Sequence, residues 1–82
     1  MKRKHRRTLD QIASANPGTD WSDVKALLRH LAEDAVEAEG SAVTFFFTDA
    51  ALTVHRPHPR RECGQGLVRR VRSFLQTTGH LK

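Results

Sequence analysis

The spacing of apolar residues changes after Ala32, and that change limits the possible folds more than any other feature of the sequence. Between Trp21 and Leu31, apolar residues recur every three or four positions, which predicts a helix with one buried stripe. After Ala32, apolar and polar residues alternate, which is typical of strands with one buried face. The pattern predicts an α+β domain, in which helices cover one face of a small antiparallel sheet.

Two further helices are expected, one on each side of this region. The first covers about Arg3 to Ala15 and ends at the turn signal Asn16-Pro17-Gly18. Asp20 is the predicted N-cap of the second helix, because its carboxylate can accept a hydrogen bond from a free amide of the first turn. The last helix starts near residues 64–67 and runs to about Thr77. The residues expected to face inward from the first and last helices are Leu9, Ile12, Ala13, Leu67, Val71, Phe74 and Leu75.

Three short strands are predicted between the second and last helices, which gives the order α-α-β-β-β-α. In the first, Val36 alternates with Glu37 and Glu39, so the glutamates are expected to form its wet face. The second covers 43–47 and the third 52–54, and hairpin-length turns make the three an antiparallel meander. Phe46 points away from the helices. It is expected to stack on a base, to contact another protein, or to lie partly covered by a loop.

The charge of the chain is strongly basic and unevenly distributed. The 82 residues predict one small domain with a net charge of +5, and most of its cations are arginines. Cations cluster in the first eleven residues and again from Arg56 onward, whereas residues 20–49 are mostly acidic. This separation favours an oriented surface for nucleic acid over cations that merely solvate exposed faces.

The sequence also predicts a cytoplasmic protein with no membrane segment. No apolar run approaches the roughly 18 residues that a membrane helix needs, and the basic N-terminus is not followed by the apolar segment of a secretory signal. Cys63 is the only cysteine, which excludes an internal disulfide and a multi-cysteine zinc site. We interpret it as an inert thiol in a loop, and we expect neither a cofactor nor a metal.

The most distinctive segment runs from His55 to Glu62 and reads His-Arg-Pro-His-Pro-Arg-Arg-Glu. Its two prolines favour extended backbone and exclude a helix. His55 and His58 are candidate proton-transfer groups, because the unperturbed pKa of histidine lies near neutrality. RNA hydrolysis needs a base for the 2′-hydroxyl, an acid for the leaving oxygen and cations for the phosphoryl charge.

The cations around these histidines are candidate phosphate ligands. Those in the segment are Arg56, Arg60 and Arg61, and those expected on the outer side of the last helix are Arg69, Arg70 and Arg72. A phosphate clamp without catalysis fits the same residues. A zinc site fits them less well, because no cysteine pair or clear carboxylate ligand accompanies the histidines.

The order of these motifs resembles the HicA toxins of bacterial and archaeal toxin–antitoxin pairs. The matching features are Gly40-Ser41, two strands joined by a turn, a His-x-x-His-Pro strand end and a basic last helix, and the start of the second helix, Asp20 to Val24, also fits. The resemblance implies a core with the double-stranded-RNA-binding-domain-like fold at 19–79, with residues 1–18 as a basic helical extension. It also implies relaxed-specificity cleavage of mRNA and neutralisation by a HicB-type antitoxin.

One position departs from the family pattern. The usual catalytic histidine of HicA toxins follows the Gly-Ser pair, and here that position is Ala42, which cannot transfer a proton. Three interpretations follow: an engineered inactivating change, a branch in which His55 or His58 supplies the chemistry, or a binding domain that has lost cleavage. The resemblance favours His58 as acid or base with His55 as its partner, because Glu62 and Gly66 match the family residues after His58. A basic module that docks an acidic protein is the alternative outside nucleic-acid binding.

Overall fold

The computed structural model describes residues 1–38 and 40–82 and confirms the predicted fold class and element order. Glu39, which the sequence pattern assigned to the wet face of the first strand, lies outside the described residues. Helix α1 ends at Ala13 rather than Ala15, whose positive φ of 53° is incompatible with a helix. The elements are α1 Arg3–Ala13, α2 Trp21–Leu31, β1 Asp34–Glu37, β2 Ala42–Phe46, β3 Ala51–His55 and α3 Gly64–Thr77.

The three strands form one antiparallel sheet in the order β1-β2-β3. In its register, Thr44 of β2 pairs with Val36 of β1 and with Thr53 of β3. Because successive strand residues point to opposite faces, the sheet has a face toward the helices and an open face. The buried residues toward the helices are Val43, Phe45, Leu52 and Val54. The open face is formed by Asp34, Val36, Ala42, Thr44, Phe46, Ala51, Thr53 and His55.

The core lies between the sheet and the helices. As predicted, Asp20 caps α2, and its Oδ1 accepts a hydrogen bond from the Ser22 amide at 2.8 Å. Trp21, Val24, Leu27 and Leu28 are then buried along one side of that helix. None of the helices within 1–38 and 40–82 combines the length and the apolar character needed to cross a bilayer.

The inner face of α1 differs from the prediction. Ile12 is fully buried, but Ala13 is exposed, and the other buried residues of the helix are His5 and Thr8. Residues 5, 8 and 12 share a helical face because they are spaced by three and four positions. The His5 ring stacks on His30 of α2 with 4.9 Å between centroids. Two polar side chains therefore help to dock this basic helix.

Strand β1 faces the other way from the prediction. Val36 lies on the open face and is 49% exposed, whereas Glu37 lies on the side of α2. In this orientation Ala35 packs against the core, and Glu37 on the same face pairs with α2, since Lys25 Nζ lies 2.6 Å from Glu37 Oε1. This hydrogen bond and charge lower the pKa of Glu37. Strand β1 thus turns the paired carboxylate of Glu37 toward the helices and leaves the side chain of Val36 exposed to solvent.

The loop after β3 is tied to the segment before α2 by backbone hydrogen bonds. The Trp21 amide donates to Arg61 O at 2.8 Å, and the Cys63 amide donates to Thr19 O at 2.9 Å. Cys63 lies in the loop, as predicted, and it is buried immediately before the start of α3. Burial, and to a lesser degree the charge of Asp20, raises the pKa of Cys63 to about 11. These contacts hold the histidine-rich segment against the start of α2.

Candidate nucleic-acid interface

The first contact of the candidate site joins the start of β2 to the end of β3. Ala42 pairs directly with His55 across the two strands, and the Ser41 hydroxyl oxygen lies 3.1 Å from His55 Nδ1. The Arg56 amide also donates to Ser41 O at 2.8 Å, which fixes the two chain segments together. The Ser41 hydroxyl can donate to Nδ1 or accept from it. In either case Nδ1 is engaged, and Nε2 is the ring nitrogen left for another partner.

Ser41 also lines a shallow surface pocket of about 430 Å³ that contains the second candidate histidine. The other residues around this pocket are Trp21, Arg56, Pro57 and His58. Ser41 therefore links the two histidines, since it contacts His55 and shares a pocket with His58. Both histidines are exposed, as substrate-binding groups must be. Of the predicted site residues, the structure places Arg56 and His58 in one pocket, and it places His55 outside that pocket, against Ser41.

Arg56 has protein partners of its own. Its NH2 group donates to Gly40 O at 2.8 Å, and its NH1 atom lies 3.9 Å from Glu37 Oε1. The same carboxylate oxygen accepts a hydrogen bond from Lys25 Nζ. Arg56 is therefore held over the Gly40-Ser41 turn, and part of its charge is neutralised. Its guanidinium positions the turn as well as offering charge to a phosphate.

A second shallow pocket of about 410 Å³ continues from Arg56 and Trp21 along α2. It is lined there by Ser22, Lys25, Ala26 and Arg29. We call the two pockets together the Trp21 groove. Sequence reasoning missed Lys25 and Arg29, because they lie in the mostly acidic part of the chain. Their spacing of four residues on the polar side of a predicted helix is the signal that could have found them.

The remaining predicted cations do not converge on the histidines. Arg60 lines a different surface pocket, with Pro17 and Gln65, and the side chain of Arg61 is exposed. Arg69 and Arg70 are exposed on α3, as predicted. Arg72 is only partly exposed, and its buried Nε has no hydrogen-bond partner among the described residues.

The inward position of Arg72 follows from helix geometry. It lies four residues after Val68 and three before Leu75, both of which are fully buried. The prediction that this arginine turns away from the apolar stripe is therefore wrong. The predicted apolar stripe of α3 lacked Val68. Because Val68 lies one helical turn before Arg72, its burial would have indicated the orientation of Arg72.

A more enclosed pocket of about 390 Å³ lies where α2 and α3 end, and His80 is the only histidine that lines it. Within 1–38 and 40–82, no three histidine, cysteine or carboxylate side chains are grouped so that they could hold a metal ion. The Trp21 groove is thus the place where one candidate proton-transfer group, His58, meets cations, and His55 lies beside it against Ser41.

No protein-family model, curated protein or solved structure matches this chain.

Proposed function

We propose that this chain is a HicA-like toxin, an RNA-binding domain that cleaves mRNA in the cytoplasm and is neutralised by a HicB-like antitoxin. The observation that carries the proposal is the position of Ser41, which contacts His55 and shares a surface pocket with Arg56 and His58. The order of motifs from Trp21 to Gly79 supports the same function by resemblance. The net charge of +5 suits a polyanionic substrate.

The proposed reaction is transfer of the RNA phosphoryl group to the neighbouring 2′-oxygen. One histidine takes the proton of the 2′-hydroxyl as that oxygen attacks phosphorus, and the other protonates the departing 5′-oxygen. The products are a 2′,3′-cyclic phosphate and a free 5′-hydroxyl. His58 acts as the acid or base, with His55 as its partner. Arg56 stabilises the charge that develops on the phosphoryl oxygens.

The path of the RNA follows the cations on either side of the histidines. Lys25 and Arg29 continue the groove along α2, whereas Arg60 and Arg61 add positive charge along the loop outside the groove. Arg69 and Arg70 on α3 enlarge the basic surface. Contacts of this kind bind the phosphate backbone without reading sequence. They fit cleavage with relaxed specificity.

Incubation of labelled mRNA with the parent protein, His55→Ala and His58→Ala tests the proposal, with products resolved on a gel. We expect cleavage by the parent and a loss of at least about 100-fold in rate for His58→Ala. His80→Ala is the matched control, because it removes an imidazole outside the groove and should leave the rate unchanged. Cleavage that persists in a His55→Ala, His58→Ala double variant would remove the proposed roles.

A second function, RNA binding without cleavage, is favoured by one observation. Ala42 presents only a methyl group beside His55, at the position where HicA toxins carry their usual catalytic histidine. This function predicts an inert parent whose RNA affinity falls steeply as salt rises. An Ala42→His variant separates the two cases. If the parent is inert and this variant cleaves RNA, the domain is a disabled ribonuclease.

A further inference from the structure

The two edges of the sheet differ in how well they are protected, beginning with β1. In an antiparallel sheet, every second residue of an edge strand points its amide and carbonyl away from the neighbouring strand. The Ala38 amide donates to Ala42 O at 3.0 Å, so the even-numbered residues of β1 face β2. The outward amide of Ala35 already donates to Asp34 Oδ1 at 2.8 Å. With Asp34 and Glu37 adding charge, this edge is blocked.

The β3 edge has no such protection. The Arg56 amide donates to Ser41 O and the Phe47 amide to Ala50 O, each at 2.8 Å, so the even-numbered residues of β3 face β2. The strand contains no charged residue, no proline and no glycine. Within the described residues, no hydrogen bond from outside the sheet reaches the outward groups of Ala51, Thr53 and His55. An uncharged edge of this kind is a template for another strand.

The sequence of β3 fits an antiparallel copy of itself. When the Thr53 residues of two copies lie opposite each other, Ala51 of each copy faces His55 of the other. Three pairs of outward residues then exchange two backbone hydrogen bonds each. Leu52 faces Val54 of the second copy, so both apolar residues stay on the side of the helices. Pro57 ends the ladder, because it has no amide hydrogen.

Charge complementarity supports the same partner. Asp49 lies in the turn before β3, whereas Arg56 and His58 follow β3, so this arrangement brings the acidic turn of one copy to the end of the strand pair where the basic segment of the other begins. The two-fold symmetry repeats this contact at the other end of the strand pair. Both chains carry a net charge of +5. At about 0.15 M salt the Debye length is about 8 Å. Repulsion between charges further apart than this is therefore screened more strongly than the attraction between opposite charges at the ends of the strand pair.

We propose that a second copy of this chain docks antiparallel along the outward edge of β3, with the two-fold axis at Thr53. The dimer has one continuous six-stranded sheet. On its open face, His55 lies between Ala42 of its own chain and Ala51 of the second copy. Phe46 of the second copy lies one strand further along the same row. The exposed ring of Phe46, 42% accessible in one chain, thus becomes part of a wide shared face.

Sedimentation equilibrium of the full chain over a range of concentrations tests this dimer. We expect the parent to dimerise and Thr53→Pro to raise the dissociation constant at least about tenfold, because both hydrogen bonds at the axis are lost. The Thr53 amide is not used in pairing with β2, so the sheet within each chain should survive. Ala35→Pro is the matched control, since it removes an outward amide from the β1 edge and should leave the association unchanged.

Amide hydrogen exchange gives a second readout that does not depend on the proline variant. Exchange at Ala51, Thr53 and His55 should slow as the parent concentration rises. Asp49→Arg, which lies outside the strand, should weaken the dimer by placing like charges beside Arg56. A parent that stays monomeric with rapid exchange at Thr53 would overturn the proposal. So would protection of Thr53 that appears only when a different protein is added.

Discussion

His55 reaches its position through neighbours on the adjacent strand. Ala42 leaves space beside its ring, and the Ser41 hydroxyl contacts its Nδ1 at 3.1 Å. From the sequence, His55 and His58 could be selected because both lie in one short, proline-rich segment. The link through Ser41, fourteen residues earlier, could not be selected, because it depends on the register of β2 with β3. The candidate histidines could therefore be identified from the sequence. The residue that orients the His55 ring could not, because strand pairing determines it.

His5 leads to a prediction about stability and pH. Burial, with smaller effects from the charges of His30, Lys2 and Lys4, lowers the pKa of His5 below its ordinary value of 6.5. The unfolded chain therefore binds a proton near pH 6.5 that the folded chain does not yet bind. We expect the free energy of unfolding to fall as the pH drops from 6.5 toward the lowered pKa of His5. Below that pKa, the contribution of His5 stays constant.

Urea unfolding of the parent and of His5→Phe at several pH values checks this prediction. The aromatic replacement keeps a ring against His30 and removes the titrating group, so its stability should depend less on pH between 7 and the lowered pKa. His58→Ala serves as the control, because this histidine is exposed and lies in the loop after β3. Equal pH dependence in the parent and His5→Phe would contradict the assignment to His5.

At the scale of whole elements, the buried face could be predicted where it follows from the residue spacing within one element. It could not be predicted where it depends on a contact between two elements. The stripe from Trp21 to Leu28 and the alternation in β2 and β3 agree with the structure, because each follows from the period of one element. The orientation of β1 was predicted wrongly. Its short pattern favours neither face strongly, and the observed orientation combines core contacts of Ala35 with the ion pair of Glu37 and Lys25 on α2.

Helix α2 gives a prediction about its first turn. Asp20 Oδ1 accepts the Ser22 amide, and loss of an N-cap side chain typically costs about 1 kcal/mol. We expect Asp20→Ala to lower the free energy of unfolding by about that amount, and Asp20→Asn to recover most of it. Chemical denaturation measures both changes. Asp10→Ala, which removes an exposed carboxylate from α1, should stay within about 0.5 kcal/mol of the parent.

At the scale of the whole molecule, the order of charged residues along the chain and their arrangement in the fold indicate different basic surfaces. The sequence separates basic ends from an acidic middle, and this predicted an oriented basic surface. The fold adds Lys25 and Arg29 from the acidic middle to the groove that holds Arg56 and His58. It also withdraws Arg72 into partial burial. Nucleic-acid binding stays a prediction from composition, whereas the set of residues that line the groove depends on the packing of α2 beside the end of β3.

Arg29 therefore provides the sharpest test of the RNA path. Each cation that neutralises a phosphate adds about one to the slope of log affinity against log salt. Arg29→Gln should lower that slope by about one and weaken RNA binding uniformly across sequences. Lys25→Gln should have a smaller effect, because Lys25 already pairs with Glu37 at 2.6 Å.

Fluorescence anisotropy of a labelled RNA, titrated at several salt concentrations, measures these slopes. Lys82→Gln is the control, because it removes the same charge from the end of the chain, outside the groove. If Arg29→Gln and Lys82→Gln change the slope equally, net charge alone attracts the RNA. If only Arg29→Gln changes it, the RNA lies along α2, and its backbone enters the groove beside His58 and Arg56.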